Sequence, residues 1–238
     1  MGIAYNTSIV RDGLVLHLDA ANVKSYPGSG SVWGDLSGNS NNGTLVNGPT
    51  FDGNSISFDG VNDFSDHGDI LDMGTDDMTI VAWIRPSSIA TANDWFVSKA
   101  AAANQSFRYA FGVLANTNQP RIFFCPQAGI DKIGLGDTSL SINTWYMLTG
   151  MWNRAGDMQI YINGQVENMT GTKDISSYSA SNIQSTNPYR IGAYTADNNI
   201  SPFNAFDGDI SSVMHYTRLL SANEVKQNFE ALRGRYGI

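Results

Sequence analysis

Seven Asp-Gly or Asn-Gly pairs cut this chain of 238 residues into short pieces: Asp12-Gly13, Asn42-Gly43, Asn47-Gly48, Asp52-Gly53, Asp59-Gly60, Asn163-Gly164 and Asp207-Gly208. Both members of such a pair tolerate positive φ, so each pair favours a tight reversal. Chain reversals at this density leave little room for long helices and call for many short extended segments. Runs of strand type fill the gaps, at 14–18, 56–58, 78–84, 95–98, 107–114, 121–125, 145–152, 159–162, 190–194 and 210–216. In 78–84, Ile80, Ala82 and Ile84 alternate with Thr79, Val81 and Trp83. Both sets are largely apolar, which predicts a strand covered on both faces. Residues 159–166 read as a hairpin closed by Asn163-Gly164.

Composition agrees. Only 15% of residues are charged, three of them Glu, while Asn (23), Ser (24), Thr (15) and Gly (24) are abundant. A charge content of about 25% is ordinary, and helix surfaces draw heavily on Glu, so a mostly helical protein is excluded. A net charge of -8 without a basic run argues against nucleic-acid partners and anionic membranes. No apolar stretch approaches the ~20 residues of a membrane span, and the first residues lack a secretory signal pattern. A hydrophobic share of 42% supplies a core and excludes disorder. No composition break marks a linker, so residues 1–238 read as one domain. The single cysteine, Cys125, sits in an apolar run and reads as a buried inert thiol. One helix is expected, at 221–234. Ser221 and Glu224 form a capping box, Val225, Phe229 and Leu232 make an apolar stripe, and Gly234 supplies a stop. Residues 1–12, uncharged from Ile3 to Val10, read as an edge strand or an anchor arm that matters for assembly.

The order of several segments resembles the concanavalin A-like jelly rolls, in their laminin G-like and pentraxin-like branch. They are Gly13-Leu14-Val15-Leu16-His17-Leu18-Asp19, Phe58-Asp59-Gly60-Val61-Asn62-Asp63-Phe64, Met78 to Ile84, Trp145 leading into Tyr161-Ile162-Asn163-Gly164, Ile191-Gly192, and Phe206-Asp207-Gly208-Asp209-Ile210 followed by Leu219-Leu220-Ser221 and Glu224. The resemblance implies an all-β fold: a two-sheet antiparallel jelly-roll sandwich with one short C-terminal helix. A second likeness covers the opening fifty residues. Leu14 to Asn22, Ser25-Tyr26-Pro27-Gly28-Ser29-Gly30, Trp33, Asp35-Leu36-Ser37-Gly38-Asn39, Asn41-Asn42-Gly43-Thr44-Leu45 and Asn47-Gly48-Pro49 resemble laminin G-like proteins of tailed-bacteriophage particles. This likeness implies a virion surface protein, on the capsid or tail.

Jelly rolls of this kind include glucanases, which need a carboxylate pair about 5 Å apart, set in the related enzymes on alternate residues of one strand. The three glutamates, Glu167, Glu224 and Glu230, do not supply one, and Asp207-Gly208-Asp209 begins a strand after a turn. The chain is therefore expected not to be an enzyme. His17, His67 and His215 are too scattered for a zinc site. The family's rim calcium site would fall on Asn104-Gln105 and 193–199, where Asp197 alone brings a charge. A second calcium position would draw on Asp59, Asp207 and Asp209. The competing reading has these aspartates capping turns. No cofactor is required.

Glycans stack on aromatic rings beside hydrogen-bonding groups. Trp95, Asn104, Tyr194, Asp197, Asn198 and Phe203 lie near loop signals and are the candidate ligands; Trp83, Trp145 and Trp152 read as core. The leading expectation is a non-enzymatic decoration protein of a phage virion, made in the host cytoplasm, homo-oligomeric on the particle and bound to other capsid or tail proteins. The alternatives are a lectin-like module aimed at host surface polysaccharide and, behind it, a polysaccharide hydrolase.

Overall fold

The computed structural model describes residues 8–100, 108–195 and 202–238. Two antiparallel sheets carry the fold, as the strand-and-turn pattern predicts. The first runs Gln165–Val166, Gln159–Ile162, Tyr146–Trp152, Met78–Pro86, Asp207–Tyr216, Ile56–Asp59 and Thr50–Phe51, with Leu14–Asp19 also paired to Asp207–Tyr216. The second runs Met169–Gly171, Ile130–Gly136, Pro120–Gln127, Arg108–Val113, Asp94–Lys99, Tyr189–Ile191, Phe64–Asp66, Gly43–Val46 and Val32–Trp33. A short hairpin, Tyr194–Thr195 with Pro202–Phe203, lies beside them.

The period-two pattern of the central strand sorts its side chains as the sequence predicts. Ile80, Ala82 and Ile84 enter the main core between the sheets, beside Phe96, Phe111, Ile122, Leu148 and Trp152. Val81 and Trp83 face the other way into a second core under the C-terminal helix, with Met147, Met214 and Val225. The hairpin closes at Asn163 and Gly164, both with positive φ (51° and 79°), the pairing a primed turn demands. Cys125 is fully buried.

The helix spans Ala222–Tyr236, with Ser221 at its N-cap and both bonds of the capping box made. It runs past the expected stop. Gly234 lies inside it, and Gly237, at φ 71°, is the left-handed cap. The extra residues are held by contacts distant in sequence. Tyr236 stacks on Trp83 at 4.1 Å, and Arg235 forms a forked pair with Asp19 at 2.6 and 3.1 Å. The described part of the N-terminal segment is anchored to this helix: Val10 donates its N–H to Asn228 (2.8 Å), and Ser8 accepts from Gln227 (2.9 Å). Among the described residues no helix is long and apolar enough to cross a membrane.

Candidate functional site

Where the two sheets meet at one rim, three chain segments enclose a cavity of about 130 Å³ lined by Asp59, Gly60, Ser88, Ile89, Ala90, Thr91, Asp94, Ala205 and Asp207. The first segment is the turn after Ile56–Asp59. The Asp59 carboxylate accepts from Val61, Asn62 and Asp63 N–H at 2.9, 3.1 and 3.3 Å. Partial burial pushes the Asp59 pKa up, but these backbone donors together outweigh it and leave it below the usual carboxylate range. Gly60 has φ +71°, and a Cβ there would lie 2.7 Å from the Asp207 Cβ, so only glycine lets the turn close on Asp207.

The second segment, 87–94, has no regular structure until Asp94 and is braced by the buried Asn118. That amide accepts from Ala90 N–H at 2.9 Å and donates to Ser88 O at 2.9 Å. The third, 204–207, leads from the short hairpin past Trp95 into Asp207–Tyr216. Asn204 O accepts from Trp95 N–H (3.2 Å), Ala205 bridges Trp95, and Asp207 then pairs with Asp59.

Asp94 and Asp207 therefore line one cavity from two different sheets. Asp94 is 8% exposed. Burial, and then the charge of Asp207, push its pKa up to about 7, against an opposing hydrogen bond from Asp207 N–H. Near neutral pH, Asp94 is an acid that can donate a proton or a hydrogen bond, set beside a carboxylate that accepts one. Ile89, 48% exposed, gives the mouth an apolar shoulder, and Ser88 and Thr91 add hydroxyls. The lining is mainly polar, with Ile89 as its apolar side.

Two of the three aspartates singled out in the sequence, Asp59 and Asp207, share this cavity. Asp209 does not: it pairs with Arg85 at 2.7 Å and accepts from the Ser57 hydroxyl. Among the described residues no three His, Cys, Asp or Glu side chains are grouped to hold a metal ion. Trp95 and Tyr194 meet at 5.8 Å, but they are only 4% and 9% exposed, packed with Phe123 and Cys125. Phe203 pairs through its backbone with Tyr194. Asn104, Asp197 and Asn198 lie outside the described residues. Trp145, read from sequence as core, is instead half-buried between Arg85 and Tyr236.

Asp94, Ser88 and Thr91 escaped sequence reasoning. The one signal for Asp94 is its place in the Ala92-Asn93-Asp94 loop directly before a buried strand. Two of the three histidines are structural: His67 bonds Asn41 O (3.0 Å) and Ser65 (3.1 Å), and His215 lies buried between Tyr109 and Tyr189.

A laminin G family profile, described as the concanavalin A-like lectin/glucanases superfamily, matches residues 57–226. The chain belongs to this superfamily. No curated protein matches the chain. Among solved structures, Trypanosoma rangeli sialidase shares the fold with a TM-score of 0.66 at 17% identity, covering 93% of this chain and 33% of the sialidase. The binding domain of Paraclostridial Mosquitocidal Protein 1 matches with a TM-score of 0.62 at 18% identity, over 92% of this chain and 52% of that one. The receptor binding domain of botulinum neurotoxin D gives 0.64 at 15%, over 92% and 53%. The chain thus spans about a third of the sialidase and about half of the toxin domains.

These findings correct one expectation. The sequence reading expects no enzyme and keeps a polysaccharide hydrolase only as its last alternative, yet the superfamily takes in glucanases and several of the neighbours are sialidases, one a mutant displaying trans-sialidase activity. The exclusion rested on a search for two carboxylates spaced i, i+2 on one strand. Asp94 and Asp207 stand far apart in sequence and are brought to one cavity from two different sheets, so that search had no means of finding them.

Proposed function

We propose that this domain binds carbohydrate, and that the rim cavity is where it does so. The observation that carries the proposal is the Asp94–Asp207 pair. A half-protonated carboxyl and a carboxylate side by side offer a donor and an acceptor to the vicinal hydroxyls of a sugar, with Ile89 placed for the C–H face. The cavity volume of about 130 Å³ suits one edge of a saccharide ring, leaving the remainder of a glycan to lie along the rim. The family match supports the reading, since lectins are among its members. The test is a glycan array probed with the wild-type protein and with Asp207→Asn. Selective hits that vanish in the variant support the site; hits unchanged by the variant place binding elsewhere.

The same pair favours a second reading, hydrolysis of a polysaccharide, with Asp94 as the general acid toward the leaving oxygen and Asp207 as the partner carboxylate. Reducing-end release from bacterial polysaccharides, abolished by Asp94→Asn, would support it, and glycan binding without release would overturn it. The setting on a phage virion, with capsid or tail partners and self-association there, is supported by the resemblance of residues 14–49 alone, which precede the family match. Mass spectrometry of purified particles tests it: presence of this chain supports the setting, and absence removes it.

A further inference from the structure

The outer face of the nine-stranded sheet carries two arginines, Arg108 and Arg121, that share Asp131 as their nearby carboxylate among the described residues. In Pro120–Gln127, Arg121, Phe123 and Cys125 alternate onto one face. The Arg121 guanidinium lies over the Trp95 ring, 4.9 Å from its centroid. Gly112 permits this, because it stands in register between Trp95 on one strand and Arg121 on the other. A Cβ on Gly112 would lie 2.8 Å from Trp95 Cε3 and 2.1 Å from Asp94 O.

On the far side of Phe123, Arg108 stacks over that ring at 5.4 Å and donates to the Tyr194 hydroxyl (3.1 Å) and to Cys125 Sγ (3.3 Å). Its side chain is 8% exposed, and among the described residues it pairs with Asp131 at 3.4 Å, a carboxylate 53% exposed. Arg121 makes no hydrogen bond and no ion pair among the described residues, and the Nε atoms of both arginines are buried without an acceptor.

Burial disfavours the Arg121 charge, and the nearby Asp131 charge and stacking on Trp95 offset only part of that, leaving the guanidinium without a direct hydrogen-bonded anion among the described residues. A guanidinium presents parallel N–H groups that match a carboxylate in forked geometry. The patch also adjoins the rim cavity, since Trp95 follows Asp94 in the chain and bridges Ala205, which lines the cavity.

We propose that Arg121, supported by Arg108, is an anion subsite that takes the carboxylate of an acidic sugar. This rests on the carbohydrate-binding reading above. Neutral parts of the same glycan fall to the rim cavity, and the carboxylate selects charged glycans over their neutral counterparts.

The test compares matched probes by calorimetry at fixed ionic strength: 3′-sialyllactose against lactose, and oligogalacturonate against its methyl ester. The expected result is tighter binding of the acidic member of at least one pair. Arg121→Gln should cut that affinity by roughly tenfold or more, the scale of a lost charged hydrogen-bond pair, and leave neutral binding unchanged. Arg121→Lys keeps the charge but loses the fork and should recover only part of the preference. Melting temperatures of both variants near wild type show that the fold is intact. Equal binding of acidic and neutral probes, untouched by Arg121→Gln, would overturn the subsite and leave the rim reading standing. Binding of no glycan of either kind would overturn both.

Discussion

Replacing Asp94 by Asn should make the protein more stable at pH 8 and leave it nearly unchanged at pH 4. Asp94 is 8% exposed, and its pKa stands at about 7 against an ordinary value of 3.8. The folded state therefore holds this proton more tightly than the unfolded chain. Its contribution to stability is fully present below about pH 4, falls as pH rises, and is lost once pH passes about 7. The gap is about three pH units, each worth about 1.4 kcal/mol, which sets a ceiling of about 4 kcal/mol on the cost of ionising Asp94 at alkaline pH. Water in the cavity screens some of this, so Asp94→Asn should gain about 2–4 kcal/mol at pH 8. Asparagine keeps an acceptor for the Asp207 N–H and places a donor toward the Asp207 carboxylate. Urea unfolding of both proteins from pH 4 to pH 8 is the assay, and the difference between them removes every titration not coupled to Asp94. A difference that does not change with pH, or a variant less stable at pH 8, would show that the fold does not hold the Asp94 proton.

Three further substitutions test the packing argument. Gly112→Ala forces a Cβ to within 2.1 Å of Asp94 O and should cost about 1–3 kcal/mol, read as a fall in melting temperature; an unchanged melt would deny the close approach of strand and indole. Ser221→Ala removes the hydroxyl that accepts from Glu224 N–H and should cost about 0.5–2 kcal/mol in urea unfolding. Gly234→Ala should stabilise by about 0.5–1 kcal/mol, because Gly234 is interior to the helix with open space where its Cβ would go. Destabilisation there would instead mark it as the stop that the sequence suggests.

What could be read from the sequence was what local chemistry decides. The two-faced pattern of Met78–Pro86, the Asn163-Gly164 turn and the Ser221–Glu224 box each follow from residues within a few positions of one another, and each appears in the structure. The helix end was misjudged because a local stop signal at Gly234 is outweighed by the Tyr236–Trp83 stack and the Arg235–Asp19 pair, contacts distant in sequence. The site was half legible for the same reason. Asp59 and Asp207 stand out through their Asp-Gly turns, whereas Asp94 carries only a weak loop mark and acquires its raised pKa from burial and from Asp207, both set by contacts distant in sequence. Trp95 looked like a loop aromatic, but Gly112 opens a groove in the sheet into which its ring settles beneath Arg121.

Shift mapping on the isotope-labelled protein shows residue by residue whether the rim cavity recognises carbohydrate. Titrated with the strongest hit from the glycan array, the amides of Ser88 to Thr91, Asp94 and Ala205 to Asp207 should move together and saturate, and Asp207→Asn should abolish the effect. Saturable shifts confined to another surface, or binding unaffected by that substitution, would place recognition away from the rim cavity.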